Sequence, residues 1–173
     1  MPKTTHYALG VLGGLIIALG GCGAPSAAPV SRPTAANLAA VMNRHLVNME
    51  STAYPDGDIL AQDLHAQLSA PGGNRNLFLL DIRKPADYAA GHIPGAVNIY
   101  FHDLGKSSSL ARLPKHKEIV VICYTGTTAN QTNGMLNLLG YHAIALKYGM
   151  SGWNQANYKM VSKAEVVNYP EVR

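Results

Sequence analysis

From residue 35 onward, helical spacing of apolar residues alternates with short, continuous apolar runs. The segment 36–49 carries apolar residues three or four positions apart, which predicts a leading helix. Its predicted apolar face consists of Leu38, Val41, Met42, Leu46 and Met49. A turn at 54–57 (YPDG) ends this part, and the segment 61–68 predicts a second helix with Leu64 and Leu68 facing the core.

Buried strands are indicated by the apolar runs 77–80, 118–123 and 143–146, and a shorter strand by 96–100. Helices are predicted between them at 86–90 and 127–139. The candidate core positions of the second of these helices are Ala129, Met135, Leu136 and Leu139, and Gly140 marks its end. This alternation predicts an α/β fold, with a small parallel sheet covered by helices on both faces.

The first 21 residues differ in character from the rest. They contain one cation, Lys3, then an apolar run over 8–19 and two glycines directly before Cys22. This order is typical of a secretory signal, and the run is too short for a membrane-spanning helix. Because 19–22 (LGGC) resembles the processing site of bacterial lipoproteins, we expect Cys22 to be acylated and to anchor the exported protein to a bacterial membrane. The domain would then face the periplasm or the exterior.

The Pro-, Ala- and Ser-rich segment after Cys22 cannot form a core and suits an extended tether over 22–35. We therefore expect a signal peptide at 1–21, then the tether, a leading helix and linker at 36–56, one catalytic or binding domain at 57–160, and a tail at 161–173.

Composition narrows the function classes. The chain has 173 residues, 47% of them hydrophobic, which suits a single domain and excludes a disordered chain. Two cysteines cannot form a disulfide scaffold. The net charge of +4 comes from scattered cations, so the sequence does not predict nucleic-acid binding.

Cys123 is the strongest candidate for chemistry. It ends the 118–123 run, and the loop 124–128 leads from it into a predicted helix. Ligands bind at this edge of open parallel sheets. Backbone N–H groups of the loop and of the helix N-terminus can stabilise a thiolate there, and Gly126 suits a tightly curled loop. The alternative is an inert, buried cysteine at the end of a strand.

Three segments resemble rhodanese-like domains. Segment 81–99 (DIRKPADYAAGHIPGAVNI) resembles their upstream signature, 123–129 (CYTGTTA) their active loop, and 149–153 (GMSGW) their closing run. The resemblance covers roughly residues 57–160. It implies a sulfurtransferase in which Cys123 accepts sulfane sulfur as a persulfide and passes it to a thiophilic acceptor.

By position, the resemblance implies a cradle of backbone N–H groups around the outer sulfur. Its members are Tyr124, Thr125, Gly126, Thr127 and Thr128, and the Thr128 hydroxyl is a candidate support. The implied partners are a small sulfur donor, or a protein persulfide, and a thiol or cyanide acceptor. Neither a metal nor another cofactor is implied.

Asp81 and Arg83 are candidates for supporting residues beside the site. The structural alternative is stronger for both, since an Asp at such a turn usually caps a helix and an Arg pairs with a carboxylate. His92 is interpreted as tying down backbone in the turn 91–95, and Trp153 as a packing residue. Five further histidines show no metal-ligand spacing, namely His45, His65, His102, His116 and His142.

The sequence departs from the family pattern in its charges. Members that use thiosulfate commonly carry cations beside the nucleophile, whereas this chain has Tyr124 and Thr125 there, and Asp87 before the upstream aromatic. Persulfides and polysulfides are therefore at least as suitable as donors. The loop is also short and lacks a closing Arg, which argues against the phosphatase chemistry of fold relatives.

Two functions of different class remain. One is an envelope sulfurtransferase. The other is a sensing or binding module, in which Cys123 is modified without turnover because the mature chain has no second free thiol to resolve the modification. An inactive scaffold is a weaker third interpretation, because the cysteine is intact.

Overall fold

The computed structural model describes residues 34–50, 54–73, 75–154 and 169–173. Its helices are α1 (Ala35–Glu50), α2 (Ala61–Ser69), α3 (Pro85–Ala90), α4 (Ser107–Leu110), α5 (Thr127–Leu138) and α6 (Gly149–Trp153), with a 3-10 helix at Phe101–Asp103. Its strands are β1 (Asp58–Ile59), β2 (Leu77–Asp81), β3 (Val97–Asn98), β4 (Glu118–Ile122) and β5 (His142–Leu146).

The five strands form one sheet in the order β1-β5-β4-β2-β3, and every pairing is parallel. The longest pairing joins β2 to β4, from Leu77 opposite Glu118 to Asp81 opposite Ile122. Because the strands are parallel, their carboxyl ends meet at one edge, where β4 leads directly into Cys123. The predicted α/β class is confirmed.

Alternation along the central strand divides the core between the two faces of the sheet. Val120 and Ile122 pack in one cluster with Leu64 of α2 and with Trp153 of α6. Ile119, Val121 and Cys123 pack in the other, with Ala129 and Leu136 of α5. Helices therefore cover both faces, as predicted. Cys123 lies beneath the start of α5.

Helix α5 buries two of its four predicted core residues, Ala129 and Leu136. Its buried residues are Ala129, Thr132, Asn133, Leu136 and Asn137, spaced as one helical face. Met135 and Leu139, predicted in the core, are 51% and 53% exposed. The amides explain the inward stripe: Asn133 donates to the Gly57 carbonyl, and Asn137 bonds both backbone groups of Ala143.

The predicted apolar face of α1 is largely exposed. Leu38, Met42 and Leu46 are 42%, 50% and 53% exposed, while Val41 and His45 are half-buried. The side chain of Met49 lies outside the description. Helix α1 borders a cleft of about 280 Å³ whose other walls include Glu118 and His142, the first residues of β4 and β5. This cleft is therefore at the opposite edge of the sheet from Cys123.

Several other expectations concern residues outside the described ranges. These are the signal peptide at 1–21, the acylated Cys22, nearly all of the tether, and most of the tail at 161–173. Among the residues that are described, no helix combines the length and the apolar character needed to cross a membrane. The predicted strand at 96–100 shortens to Val97–Asn98, because the 3-10 helix begins at Phe101.

Candidate active site

Cys123 lies at the carboxyl edge of the sheet and is 3% exposed. Its Sγ accepts the backbone N–H of Gly126 at 3.1 Å and that of Ala129 at 3.4 Å. The Ala129 N–H is in the first turn of α5, where backbone donors have no partner within the helix and the helix dipole is positive. Both donors favour negative charge on the sulfur.

Helix α6 fixes the backbone at the start of the loop 124–128 through hydrogen bonds. The Cys123 carbonyl accepts the Met150 N–H at 2.8 Å, and the Tyr124 carbonyl accepts both the N–H and the hydroxyl of Ser151 at 2.9 Å. Because both carbonyls point toward α6 and are bonded there, the N–H groups of Gly126 and Ala129 can point toward the Cys123 sulfur. The closing run 149–153 therefore supports the loop 124–128 directly; as the candidate site, this segment is called the reactive loop below.

Two glycines make this close approach possible. Gly126 has φ +94°, and Gly149 has φ +55°, both in the region that side chains disfavour. A Cβ on Gly149 would collide with the Cys123 carbonyl oxygen and would come within 2.8 Å of the Thr125 nitrogen. Gly149 is thus the residue that lets α6 meet the loop backbone.

Asp81 and Arg83 form a buried ion pair beside the loop. The Arg83 guanidinium bonds both carboxylate oxygens of Asp81, at 2.7 Å in the shortest contact, and neither side chain is exposed. Arg83 also donates to the Gly91 carbonyl at 2.7 Å. Asn98 donates to the carbonyls of Asp81 and Arg83, which fixes the chain between them. These contacts give both residues a supporting role.

Tyr124 reaches from the loop to helix α3. Its hydroxyl donates to Asp87 Oδ2 at 2.5 Å and accepts the Lys84 N–H at 3.3 Å. Its ring centroid lies 5.9 Å from Arg83 Cζ. Burial, and then the hydrogen bond to Asp87, raises the pKa of Tyr124, so its phenol stays protonated at neutral pH. Asp87 is thereby tied to the rim of the reactive loop.

His92 and Trp153 have packing roles. His92 Nδ1 is 2.9 Å from the Tyr88 carbonyl, its ring stacks on Tyr88, and its backbone pairs with Val172 in both directions. Trp153 is 1% exposed in the core, and its indole N–H donates to the Pro170 carbonyl. His65 stacks on Tyr169 with 3.7 Å between the ring centroids.

Of the predicted loop 124–128, the described contacts bring the Gly126 N–H to the Cys123 sulfur, and they give no such bond for Tyr124, Thr125, Thr127 or Thr128. The Asp81–Arg83 pair lies beside the loop, next to the Tyr124 ring. Sequence reasoning expected N–H donors from the start of helix α5 without naming Ala129, and it missed two contributors: the support from Ser151 and the contact of Asp87 with Tyr124. Asp87 and Tyr124 are 37 positions apart, and no sequence pattern connects them. For Ala129, the predicted helix start at Thr127 was a usable signal, because it makes the next N–H groups unpaired donors.

The described geometry agrees with comparisons to known proteins. The family model for the rhodanese-like domain matches residues 60–156, more than half of the chain. The chain is 31% identical over 80 residues to the protein YtwF of Bacillus subtilis, covering 46% of this chain and 76% of that one. It is 28% identical over 88 residues to a sulfurtransferase of Allochromatium vinosum, covering 50% and 80%.

Solved structures agree on the fold. A rhodanese-related protein of Thermoplasma volcanium is similar with a TM-score of 0.50 and 25% identity, over 58% of this chain and 93% of that one. A rhodanese-like domain protein of Staphylococcus aureus is similar with a TM-score of 0.51 and 21% identity, over 61% and 98%.

Proposed function

The chain belongs to the rhodanese-like domain family, and on this premise we propose that it is a sulfurtransferase that carries sulfane sulfur as a persulfide on Cys123. The observation that carries the proposal is the pair of N–H groups, from Gly126 and Ala129, directed at the Cys123 sulfur. Fixed donors of this kind stabilise a thiolate nucleophile, and the same loop can stabilise the charge of a persulfide one atom further out.

The transfer proceeds in two displacements. The Cys123 thiolate attacks the sulfane sulfur of the donor, a new S–S bond forms, and the bond between that sulfur and the rest of the donor breaks. Thiosulfate would leave as sulfite, and a thiol persulfide as the thiol. A thiol or cyanide then attacks the outer sulfur of the Cys123 persulfide and takes it, so Cys123 returns as the thiolate.

A direct test uses the full chain and its Cys123→Ser variant, purified in detergent. Each is incubated with thiosulfate, inorganic polysulfide or glutathione persulfide, and intact mass and sulfur transfer to cyanide are measured. We expect one added sulfur atom and turnover in the wild type, and neither in Cys123→Ser. The Cys22→Ser variant is the matched control and should retain both. Absence of the adduct with every donor would overturn the proposal.

A sensing module is the second candidate, favoured by one observation. The sequence has two cysteines, so acylation of Cys22 would leave Cys123 without a second thiol in its chain to discharge the persulfide. The same experiment distinguishes the two functions. A stable one-sulfur adduct without transfer to any acceptor would favour sensing, whereas repeated transfer favours the enzyme.

We also propose that acylation of Cys22 anchors the protein to the bacterial envelope. Support comes from the small residues before Cys22, the apolar run before them and the Pro- and Ala-rich segment after them. In cells fed a labelled fatty acid, the wild type should be labelled and Cys22→Ser should not. Equal labelling of both would contradict the anchor.

A further inference from the structure

The rim of the reactive loop carries a fixed carboxylate. Tyr124 directly follows Cys123, and its side chain, 38% exposed, extends to the first turn of α3. There its hydroxyl donates to Asp87 Oδ2 at 2.5 Å while accepting the Lys84 N–H. The Tyr124 hydroxyl is therefore bonded both as donor and as acceptor, and it ties the Asp87 carboxylate to the residue that directly follows the nucleophile.

The cation beside the Tyr124 ring is already paired with another carboxylate. The Arg83 guanidinium lies beside the Tyr124 ring but is bonded to both carboxylate oxygens of Asp81, and both side chains are fully buried. Lys84 contributes its backbone N–H to the cluster. Tyr124 is a neutral donor. An anion approaching Cys123 thus meets N–H dipoles within the loop, and at its edge the Asp87 carboxylate, with the exposed Lys84 side chain three positions before it.

We propose that Asp87, positioned by Tyr124, determines donor specificity by disfavouring dianionic thiosulfate. Donors with a single negative charge near the sulfane sulfur, such as organic thiosulfonates and simple thiol persulfides, are favoured. The effect follows from Coulomb repulsion, which is about twice as large for a dianion as for a monoanion at the same distance and is screened by salt. This inference rests on the proposed sulfur transfer by Cys123.

Thiosulfate and methanethiosulfonate are a matched pair of probes. The second replaces one charged oxygen of the first with a methyl group, so it presents a similar sulfane sulfur with one charge fewer. Both react by the same displacement. The Cys123 thiolate takes the sulfane sulfur, and the donor leaves as sulfite or as methanesulfinate, carrying the electron pair of the broken bond.

The test compares kcat/KM for both donors in the wild type and in Asp87→Asn. Asparagine keeps an oxygen that can accept the Tyr124 hydroxyl and removes only the charge. At low ionic strength, we expect Asp87→Asn to raise kcat/KM for thiosulfate about threefold to tenfold, and that for methanethiosulfonate less than about threefold. Both gains should shrink at about 0.5 M salt, where the Debye length is only a few ångströms.

Two further variants separate charge from structure. Glu118→Gln removes a carboxylate at the start of β4, about 16 Å from Cys123 along the strand, and should leave the ratio of the two donors unchanged. Tyr124→Phe keeps the Asp87 charge but frees it to turn toward water, so it should give a smaller gain for thiosulfate than Asp87→Asn.

The outcomes are distinct. An unchanged donor ratio in Asp87→Asn, or a change that is independent of salt, would overturn the role of Asp87 while turnover by the wild type would leave the proposed function standing. Failure of the wild type to form a Cys123 persulfide with any donor would overturn the proposed function and this inference with it.

Discussion

Gly149 connects the closing helix to the reactive loop. Its φ of +55° and the absence of a side chain allow α6 to approach until Met150 and Ser151 bond the carbonyls of Cys123 and Tyr124. A Cβ at this position would meet backbone atoms of the loop, which cannot move aside without turning the N–H groups away from the sulfur. The proposed reactivity of Cys123 would thus depend on a residue that contributes no side chain.

Gly149→Ala should lower both stability and persulfide formation. The positive φ costs about 1–2 kcal/mol for alanine, and the collision with the loop adds about 1–3 kcal/mol. Gly140→Ala is the matched control, since Gly140 has φ +78° but open space around a Cβ. Denaturant unfolding and the rate of sulfur uptake by Cys123 measure the two effects. An equal loss in both variants would show that the contact of α6 with the loop is unimportant.

The Asp81–Arg83 pair supports the loop from the side of β2. Asp81→Asn would leave the Arg83 guanidinium buried without its charge partner, and we expect a loss of about 3–5 kcal/mol in the free energy of unfolding. Asp103→Asn breaks the exposed pair with Lys106 and should cost less than about 1 kcal/mol. Denaturant unfolding of the two variants checks this contrast. A small cost for Asp81→Asn would argue against the supporting role.

Among the helices and strands, those with a clear apolar pattern were predicted correctly from the sequence. The strands β2, β4 and β5 and the helices α1, α2 and α5 are present within a residue or two of their expected bounds, because continuous apolar runs and helical spacing are strong signals. Strand β1 has only two residues and no period. The core face of α5 was predicted only in part: Ala129 and Leu136 are buried as expected, but Asn133 and Asn137 also face the sheet to bond backbone groups, which composition cannot indicate.

The candidate site also has one part that the sequence could predict and one part that it could not. Cys123 and its loop were predictable because they lie in one continuous segment after a buried strand, and the family resemblance adds the closing run. The contact of Tyr124 with Asp87 depends on how α3 packs beside the loop, and the bond of Ser151 to Tyr124 depends on where α6 sits. Such long-range contacts leave no local pattern.

Helix α1 should lose stabilising contacts in mild acid. Burial, and then the positive charge of His142, lowers the pKa of His45, in a cleft that also contains Arg44, Glu118 and Tyr54. The unfolded chain therefore binds more protons than the folded one just below pH 6.5. The free energy of unfolding is thus unaffected by His45 well above that pH and decreases as the pH falls. Burial raises the pKa of Glu118, so its contribution has the opposite sign: it grows as the pH falls through the raised pKa and is complete below about 4.5.

His45→Gln removes the titrating group of α1. We expect its melting temperature, relative to the wild type, to increase as the pH is lowered from 7.5 to 5.5. His116→Gln, at an exposed histidine, serves as the control and should follow the wild type. Parallel pH profiles for the wild type and His45→Gln would contradict the argument.

Across the whole molecule, residues 169–173 connect parts that are far apart in sequence. Tyr169 stacks on His65 of α2, and its N–H donates to the Trp153 carbonyl. Val172 pairs with His92 through two backbone hydrogen bonds. Glu171 packs against Gly91, whose carbonyl accepts the Arg83 guanidinium. The segment therefore contacts α2, α6 and the turn whose Gly91 carbonyl accepts Arg83 of the buried ion pair.

Removing residues 169–173 should destabilise the domain although the segment contains none of the predicted catalytic residues. Three backbone hydrogen bonds, the indole bond of Trp153 and the ring stack would be lost, for a total of about 2–4 kcal/mol. For a domain of this size, that corresponds to a fall of roughly 7–14 °C in melting temperature. Val172→Ala, which keeps the backbone pairing with His92, should change the melting temperature by much less.

Because the segment bonds the neighbours of Arg83, we also expect slower sulfur uptake by Cys123 in the shortened chain well below its melting temperature. An unchanged uptake rate together with the lower melting temperature would show that the segment contributes to stability but does not affect the reactive loop.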